Sequence, residues 1–181
     1  MSWKNTKSGY GSPAILFHWL MLVLLVAGYA AMDLQSLSQK GSALREAMAS
    51  WHYMLGLLVF ALVWLRLLVR LTGLAPAVEP APPAWQTTLA KAVYRALYVF
   101  MAAMPLLGWL TLSAKGEPVP FFSLELPALT GKNEGLATLL KDIHGNLAIV
   151  GYFVIGLHAA AALFHHYVRR DNTLRLMWPR R

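Results

Sequence analysis

Six histidines in a chain that has no cysteine limit the metal chemistry open to this protein. They are His18, His52, His144, His158, His165 and His166. Without cysteine the chain cannot form a disulfide, hold an iron–sulfur cluster or attach haem through thioethers. Any bound metal must therefore be held mainly by imidazole nitrogen. The apolar stretches contain no paired carboxylates and no Ser–His–Asp set, so the pattern favours no hydrolytic chemistry.

The spacing of four of these histidines predicts two pairs at two depths. His144 and His158 are 14 residues apart, or four helical turns, so they share one helix face and lie roughly 21 Å apart along it. Matched by depth, His52 pairs with His144, and His18 pairs with His158, each on facing helices. Two histidines can hold an iron porphyrin axially and leave the iron no open position. The pattern therefore predicts two b-type haems that transfer electrons and do not activate oxygen.

His165 is an alternative partner for His18, because it lies seven residues beyond His158 on the same face. Depth alone does not separate the two choices. With His165 as the ligand, the two irons would stand about 31 Å apart in depth, nearly the thickness of a bilayer core. That distance is poor for electron transfer, so we expect His158 to be the ligand and His165 and His166 to be interfacial residues.

Two glycines lie where a flat ring would approach the backbone. Gly56 is one turn from His52, and Gly151 is midway between His144 and His158. Glycine permits such an approach, although ordinary packing of membrane helices explains both residues equally well.

Two arginines, Arg66 and Arg70, end the second apolar stretch. They suit the anionic propionates of the haem on the cytoplasmic side. Membrane topology explains them at least as well.

These residues must be positioned by membrane helices. The chain is 57% hydrophobic and only 13% charged, whereas soluble domains carry about a quarter charged residues. Four apolar stretches are long enough to span a bilayer, at about residues 13–32, 48–69, 89–112 and 143–167. The sequence predicts an all-α, four-transmembrane-helix bundle that forms one membrane-embedded domain over residues 1–181.

The basic residues predict the orientation of this bundle. Five lysines and arginines lie in the first and third connections, and eleven lie on the other side with both termini: Lys4, Lys7, Arg66, Arg70, Lys91, Arg95, Arg169, Arg170, Arg175, Arg180 and Arg181. Basic residues favour the cytoplasmic side, so we expect both termini to be cytoplasmic in a bacterial inner membrane. The net charge of +8 then indicates topology and attraction to anionic lipid, not nucleic-acid binding.

Three stretches of the chain resemble the bacterial cytochrome b561 family. SPAILFHWLMLVLLVAGY resembles the first helix of the family and WHYMLGLLVFALVWLRLLVR the second. The stretch GNLAIVGYFVIGLHAAAALFHHYVRRDNTLRLMWPR resembles the fourth helix and the tail. The resemblance covers nearly the whole chain, and it is especially strong to the member that acts as a superoxide oxidase.

The resemblance implies two haem b groups with axial ligands matching His18, His52, His144 and His158, and so favours His158 over His165. It implies an oxidoreductase that oxidises superoxide on the periplasmic side and reduces ubiquinone. Other members are cytochrome subunits that pass electrons between a partner protein and the quinone pool, which is the alternative function. The five basic and six acidic residues of the outer connections provide no overall field to steer superoxide. A haem-free transporter or proton relay that uses the same histidines is a third hypothesis.

Overall fold

The computed structural model describes residues 3–178 and confirms the all-α prediction. Its four long helices are α1 Ser12–Leu37, α2 Ala43–Leu71, α3 Ala84–Lys115 and α4 Glu134–Phe164. A π-helical turn, His165–Arg169, continues α4, and a short helix α5, Thr173–Leu176, follows it. Strands β1, Val119–Phe121, and β2, Leu124–Leu126, form an antiparallel hairpin between α3 and α4. Arg180 and Arg181, which the topology argument counted, lie outside the described residues.

Each of the four long helices is long and apolar enough to cross a membrane. They contain 26, 29 and 32 residues, and the last, counted through Arg169, contains 36. At about 1.5 Å per residue, all four exceed the ~30 Å hydrocarbon thickness. Most of their ends lie beyond the predicted ones because backbone hydrogen bonding continues into segments with charged residues, such as residues 134–142 of α4, which a long apolar stretch does not mark. Large apolar side chains such as Val99 and Phe153 are exposed on the helix surfaces, where lipid is the solvent they suit.

The described chain divides into two compact units. The terminal unit comprises residues 3–20, 63–100 and 150–178, and the loop unit comprises residues 21–62 and 101–149. Each long helix contributes one segment to each unit.

Hydrogen bonds in the terminal unit connect the N-terminal segment, the α2–α3 link (residues 72–83) and the tail (residues 170–178). The N–H of Ala77 donates to the carbonyl of Lys7 at 3.2 Å. The N–H of Glu79 donates to Oδ1 of Asn172 at 2.9 Å. Trp19 Nε1 donates to the carbonyl of Met177 at 2.7 Å. These contacts hold the three segments together within one unit.

In the loop unit, the chain between α3 and α4 is fastened to the end of α3. Trp109 Nε1 donates to the carbonyl of Pro127 at 3.0 Å. The buried hydroxyl of Ser113 accepts the N–H of Leu129 at 3.1 Å. Val119 of the hairpin packs in an apolar cluster with Leu57 and Leu112. This connection is therefore an ordered cap, which hydropathy did not predict.

Candidate functional site

The loop unit brings together His52 of α2 and His144 of α4. Their ring centres are 6.0 Å apart and their planes make an angle of 78°. Both side chains are half-buried. The ring of His144 also packs on α3 at Gly108. A Cβ added to this glycine would lie 3.5 Å from Cε1 of His144.

The terminal unit brings together His18 of α1 and His158 of α4. Their ring centres are 6.2 Å apart, with an angle of 64° between the planes, and both are again half-buried. Trp19 makes an edge contact with His18 at 5.4 Å between ring centres. The structure thus places the four histidines in the two pairs that helical depth predicted.

The separation in each pair suits axial coordination of one metal ion. A histidine nitrogen binds a metal at about 2 Å. Since a ring centre lies about 1 Å behind its nitrogen, two axial rings have centres roughly 6 Å apart. Among residues 3–178, no group of three or more His, Cys, Asp or Glu side chains converges to hold an ion. A two-histidine site suits a metal that brings its own equatorial ligands, as iron in a porphyrin does.

The protonation of His52 is set by a backbone carbonyl of α1. Its Nδ1 lies 3.0 Å from the oxygen of Gly28. A carbonyl only accepts, so Nδ1 carries the proton and Nε2 presents its lone pair. Metal-binding histidines commonly show this arrangement. The sequence did not indicate Gly28, because a backbone contact leaves no mark on residue type.

The space beside His52 could receive a flat ring. A Cβ at Gly28 or at Gly56 would meet no neighbouring atom within 4 Å. No other part of the described chain therefore covers the backbone at these two positions, and a flat ring could approach it there. Gly151, the second predicted glycine, is buried on α4, seven residues from each histidine of that helix.

Arg66 lies directly beside the terminal-unit pair. Its Nη2 is 3.0 Å from Nδ1 of His18, and its guanidinium lies over the ring of Tyr98, 5.6 Å from the centre. One turn away, the guanidinium of Arg70 lies 5.7 Å from the centre of the Tyr94 ring. The sequence singled out both arginines and missed both tyrosines. The signal was present, since two Arg on α2 and two Tyr on α3 share a spacing of four residues.

His165 is engaged by the tail and not by His18. Its Nδ1 lies 2.5 Å from Oδ2 of Asp171, whose side chain is fully buried. Nε of Arg169 lies 3.7 Å from the same oxygen, and the N–H of Thr173 donates to the other oxygen at 3.0 Å. Burial alone would raise the pKa of Asp171, but the hydrogen bonds from Thr173 and His165 outweigh it and hold this pKa below its ordinary value. The carboxylate therefore stays charged and fixes the His165 ring.

His166 follows on the same π-helical turn. Within the described residues its Nδ1 is buried without a hydrogen-bond partner, and its ring makes an edge contact with Tyr167 at 4.8 Å. Neither His165 nor His166 joins a histidine pair.

Comparisons with known proteins agree with these features. The family model of prokaryotic cytochrome b561 matches residues 9–180. The chain is 37% identical over 172 residues to cytochrome b561 homolog 1 of Escherichia coli K12, covering 95% of this chain and 98% of that protein. It is 34% identical over 172 residues to the probable superoxide oxidase CybB of Yersinia pestis, covering 95% and 97%. It is 27% identical over 179 residues to cytochrome b561 homolog 2 of Escherichia coli K12, covering 98% and 95%.

A match over nearly the full length of the chain confirms the resemblance of its helices. The four long helices are each able to span a membrane, and the family name implies haem b as the cofactor. The chain belongs to the prokaryotic cytochrome b561 family of electron-transfer proteins and is a multi-pass protein of the bacterial inner membrane.

Proposed function

We propose that the whole chain acts as one di-haem domain that oxidises superoxide on the periplasmic side and reduces ubiquinone. The observation that carries the proposal is the pair of two-histidine sites, with ring centres 6.0 and 6.2 Å apart. His52 and His144 would hold one haem b, and His18 and His158 the other. The name of the Yersinia pestis relative, a probable superoxide oxidase, supports the choice of substrate.

The orientation in the membrane is part of the proposal. Of the fourteen lysines and arginines among residues 3–178, nine belong to the terminal unit and five to the loop unit. Under the positive-inside rule the terminal unit faces the cytoplasm and the loop unit faces the periplasm. Superoxide would then react at the His52–His144 site.

Bound haem supplies one-electron oxidation and reduction, and the protein controls what can reach it. Two histidines at each site would occupy the binding positions that the porphyrin leaves open, so the protein would offer oxygen no place to bind and would favour electron transfer without a bond to the substrate. The carbonyl of Gly28 orients His52, and the uncovered backbone at Gly56 and Gly28 would let the ring approach. Gly151 would allow close approach to α4. Arg66 and Arg70 would neutralise the propionates of the haem in the terminal unit.

The overall reaction balances without a further reagent. Two superoxide anions each lose one electron and become two molecules of oxygen. Ubiquinone takes up those two electrons with two protons and becomes ubiquinol. Lipid surrounds the protein, and ubiquinone dissolves in that lipid.

The ion pairs of the loop unit favour a second candidate function. Nζ of Lys115 lies 3.7 Å from Glu117, and Nζ of Lys132 lies 3.8 Å from Glu134. Both cations therefore have an acidic neighbour, which weakens their attraction for an anion such as superoxide. A periplasmic redox protein that docks on this cap would deliver electrons without such attraction. In that case the chain is a cytochrome subunit between a partner and the quinone pool.

Stopped-flow mixing separates the two candidates. The purified haem-loaded protein is mixed with superoxide and a soluble ubiquinone, and ubiquinol formation is followed. Rapid turnover with no other protein supports the superoxide oxidase. Fast reduction of the haems by a chemical donor, with no reaction with superoxide, supports the cytochrome subunit.

Two controls complete this experiment. His52→Ala should abolish the reaction with superoxide, whereas His165→Ala should retain it if His165 is not a ligand. A reduced-minus-oxidised spectrum without b-type bands, after expression with ample haem, would refute both candidates and favour the haem-free transporter.

A further inference from the structure

One face of the hairpin formed by β1 and β2 is apolar along its whole length. The strands pair Val119 with Leu126 and Phe121 with Leu124. Directly paired residues lie on the same face of a sheet, and so do residues two apart in one strand. These four apolar side chains therefore share one face. Glu125 lies on the opposite face of β2 and is exposed, so the hairpin is amphipathic.

The base of this apolar face is covered by protein, whereas its tip is not. Val119 is 1% exposed and packs with Leu57 of α2 and Leu112 of α3. Toward the tip, Leu124 is 62% exposed and Phe122, in the turn, is 57% exposed within the described chain. The apolar face thus begins on two helices that can cross a membrane and extends beyond them.

The turn at the tip has a bulky side chain where the backbone favours glycine. Phe122 and Ser123 connect the paired residues Phe121 and Leu124, and Phe122 has a φ of 54°. Two-residue hairpin turns need a positive φ at this position, which is why glycine or asparagine is usual there. A phenylalanine carries a steric cost in this conformation, and its ring is poorly accommodated by water. Burial of the ring in lipid would offset both costs.

The hairpin is attached to α3 where this helix leaves the apolar part of the membrane. Residues 96–114 contain no charged side chain, and Lys115 ends the helix. β1 begins at Val119, shortly after this lysine. At the other end of the hairpin, Trp109 Nε1 donates to the carbonyl of Pro127 at 3.0 Å, and tryptophan is typical of the boundary between membrane and water. Both ends of the hairpin are therefore connected to the last two turns of α3, at the edge of the hydrocarbon.

We infer that the hairpin lies in the membrane interface, with Phe122 and Leu124 in contact with lipid acyl chains and Glu125 toward water. Amphipathic elements bind bilayer surfaces in this orientation. Tyr53 packs against the same apolar cluster as the hairpin, and its ring centre lies 6.2 Å from that of His52. The hairpin therefore connects the histidine pair of the loop unit to the bilayer surface. This placement does not depend on bound haem, so its failure would leave the proposed function standing.

Photocrosslinking tests this placement on the haem-loaded protein in nanodiscs of phosphatidylcholine and phosphatidylglycerol. Phe122 is replaced by p-benzoylphenylalanine, and the same replacement of Glu125, on the opposite face, is the matched control. After irradiation, mass spectrometry should find phospholipid adducts at position 122 about tenfold more often than at position 125, the preference that burial of an aromatic ring provides. Equal yields, or no adduct at position 122, would overturn the inference. An adduct at position 122 with a second copy of the chain, or with another protein in cell membranes, would also overturn it and indicate a protein-docking surface.

A thiol probe decides if the benzophenone variants do not fold. The chain contains no cysteine, so Leu124→Cys and Glu125→Cys each introduce a unique thiol, and the two thiols lie on opposite faces of β2. Only the thiolate reacts with a water-soluble maleimide, and apolar surroundings keep a thiol protonated. In nanodiscs, which leave both membrane faces open to water, Leu124→Cys should react about tenfold more slowly than Glu125→Cys. Equal rates would overturn the placement of the hairpin.

Discussion

Replacement of Asp171 by Asn tests how the tail is held against the end of α4. The buried carboxylate accepts a hydrogen bond from His165 at 2.5 Å and one from the N–H of Thr173 at 3.0 Å. Asn has nearly the same shape and can still accept from Thr173. The substitution therefore removes the charge while disturbing the packing little.

The expected loss follows from these contacts. With its oxygen on Thr173, Asn presents its NH2 to His165, so the bond must reverse and Nδ2–H donates to a deprotonated Nδ1. A charge-assisted hydrogen bond is worth about 1.5–3 kcal/mol and a neutral one about 0.5–1.5 kcal/mol, so this contact loses about 1 kcal/mol. Arg169, 3.7 Å away with its side chain 23% exposed, loses an ionic partner. Such a contact adds at most about 1 kcal/mol. The tail should thus be less stable by about 2 kcal/mol, which is roughly a 30-fold rise in its opening equilibrium.

Hydrogen exchange of the tail amides in detergent measures this change directly, since exchange reports local opening. The amides to follow are those of Asp171, which donates to the carbonyl of His165 at 3.1 Å, and of Thr173. Glu79→Gln is the matched control, because it removes one charge near the tail while the backbone of Glu79 keeps its bonds to Asn172. Equal exchange rates in Asp171→Asn and Glu79→Gln would refute the reasoning.

The same contacts predict a dependence of tail stability on pH. The pKa of Asp171 in the folded protein is below its ordinary value of 3.8, so the open tail binds more protons than the closed one near that pH. This contribution to stability is fully present well above pH 3.8 and is lost as the pH falls through the folded pKa. In the wild type, the tail should therefore open more often, and its amides exchange faster, as the pH falls through this range. Asp171→Asn should not show this increase in tail opening.

Three further predictions concern the cofactors. His52→Ala should lower the haem content from two to one per chain by pyridine haemochrome assay, and loss of both haems or of neither would contradict the pairing. Gly56→Leu should fill the open space beside His52 and reduce occupancy of that site by roughly half or more, whereas Gly56→Ala should have little effect; equal haem content in the two variants would argue against a ring lying there. His165→Ala should keep both haems with unchanged spectra, and loss of one haem would restore His165 as a candidate ligand.

Much of the fold follows from the sequence because membrane helices are defined by length and hydropathy. Four apolar stretches sufficed to predict the four helices, and the match to the cytochrome b561 family confirms the resemblance read from them. The helix ends were predicted too short, since α3 and α4 continue through polar residues. The β hairpin was missed because its strands are only three residues each and carry no clear alternation.

The candidate site was predictable only as far as side chains share a helix face. His144 and His158 lie on one face by spacing alone, and the facing histidines follow from depth. Their role as haem ligands stays a prediction. The carbonyl of Gly28 and the bond between His165 and Asp171 were not predictable. The first involves the backbone, and the second depends on a π-helical turn that brings the tail back against α4.

Because α4 contributes to both units, the effect of an inserted residue should depend on where in the chain it lies. One continuous helix supplies a histidine to each pair, so the interval between them is fixed by helical pitch. A single residue inserted between His144 and His158 would turn one ring by about 100° relative to the other about the helix axis. Insertions in the connections at either end of α4 impose no such rotation. Lengthening a surface loop should therefore be tolerated, whereas one extra amino acid within this 14-residue interval would misalign one of the two histidine pairs.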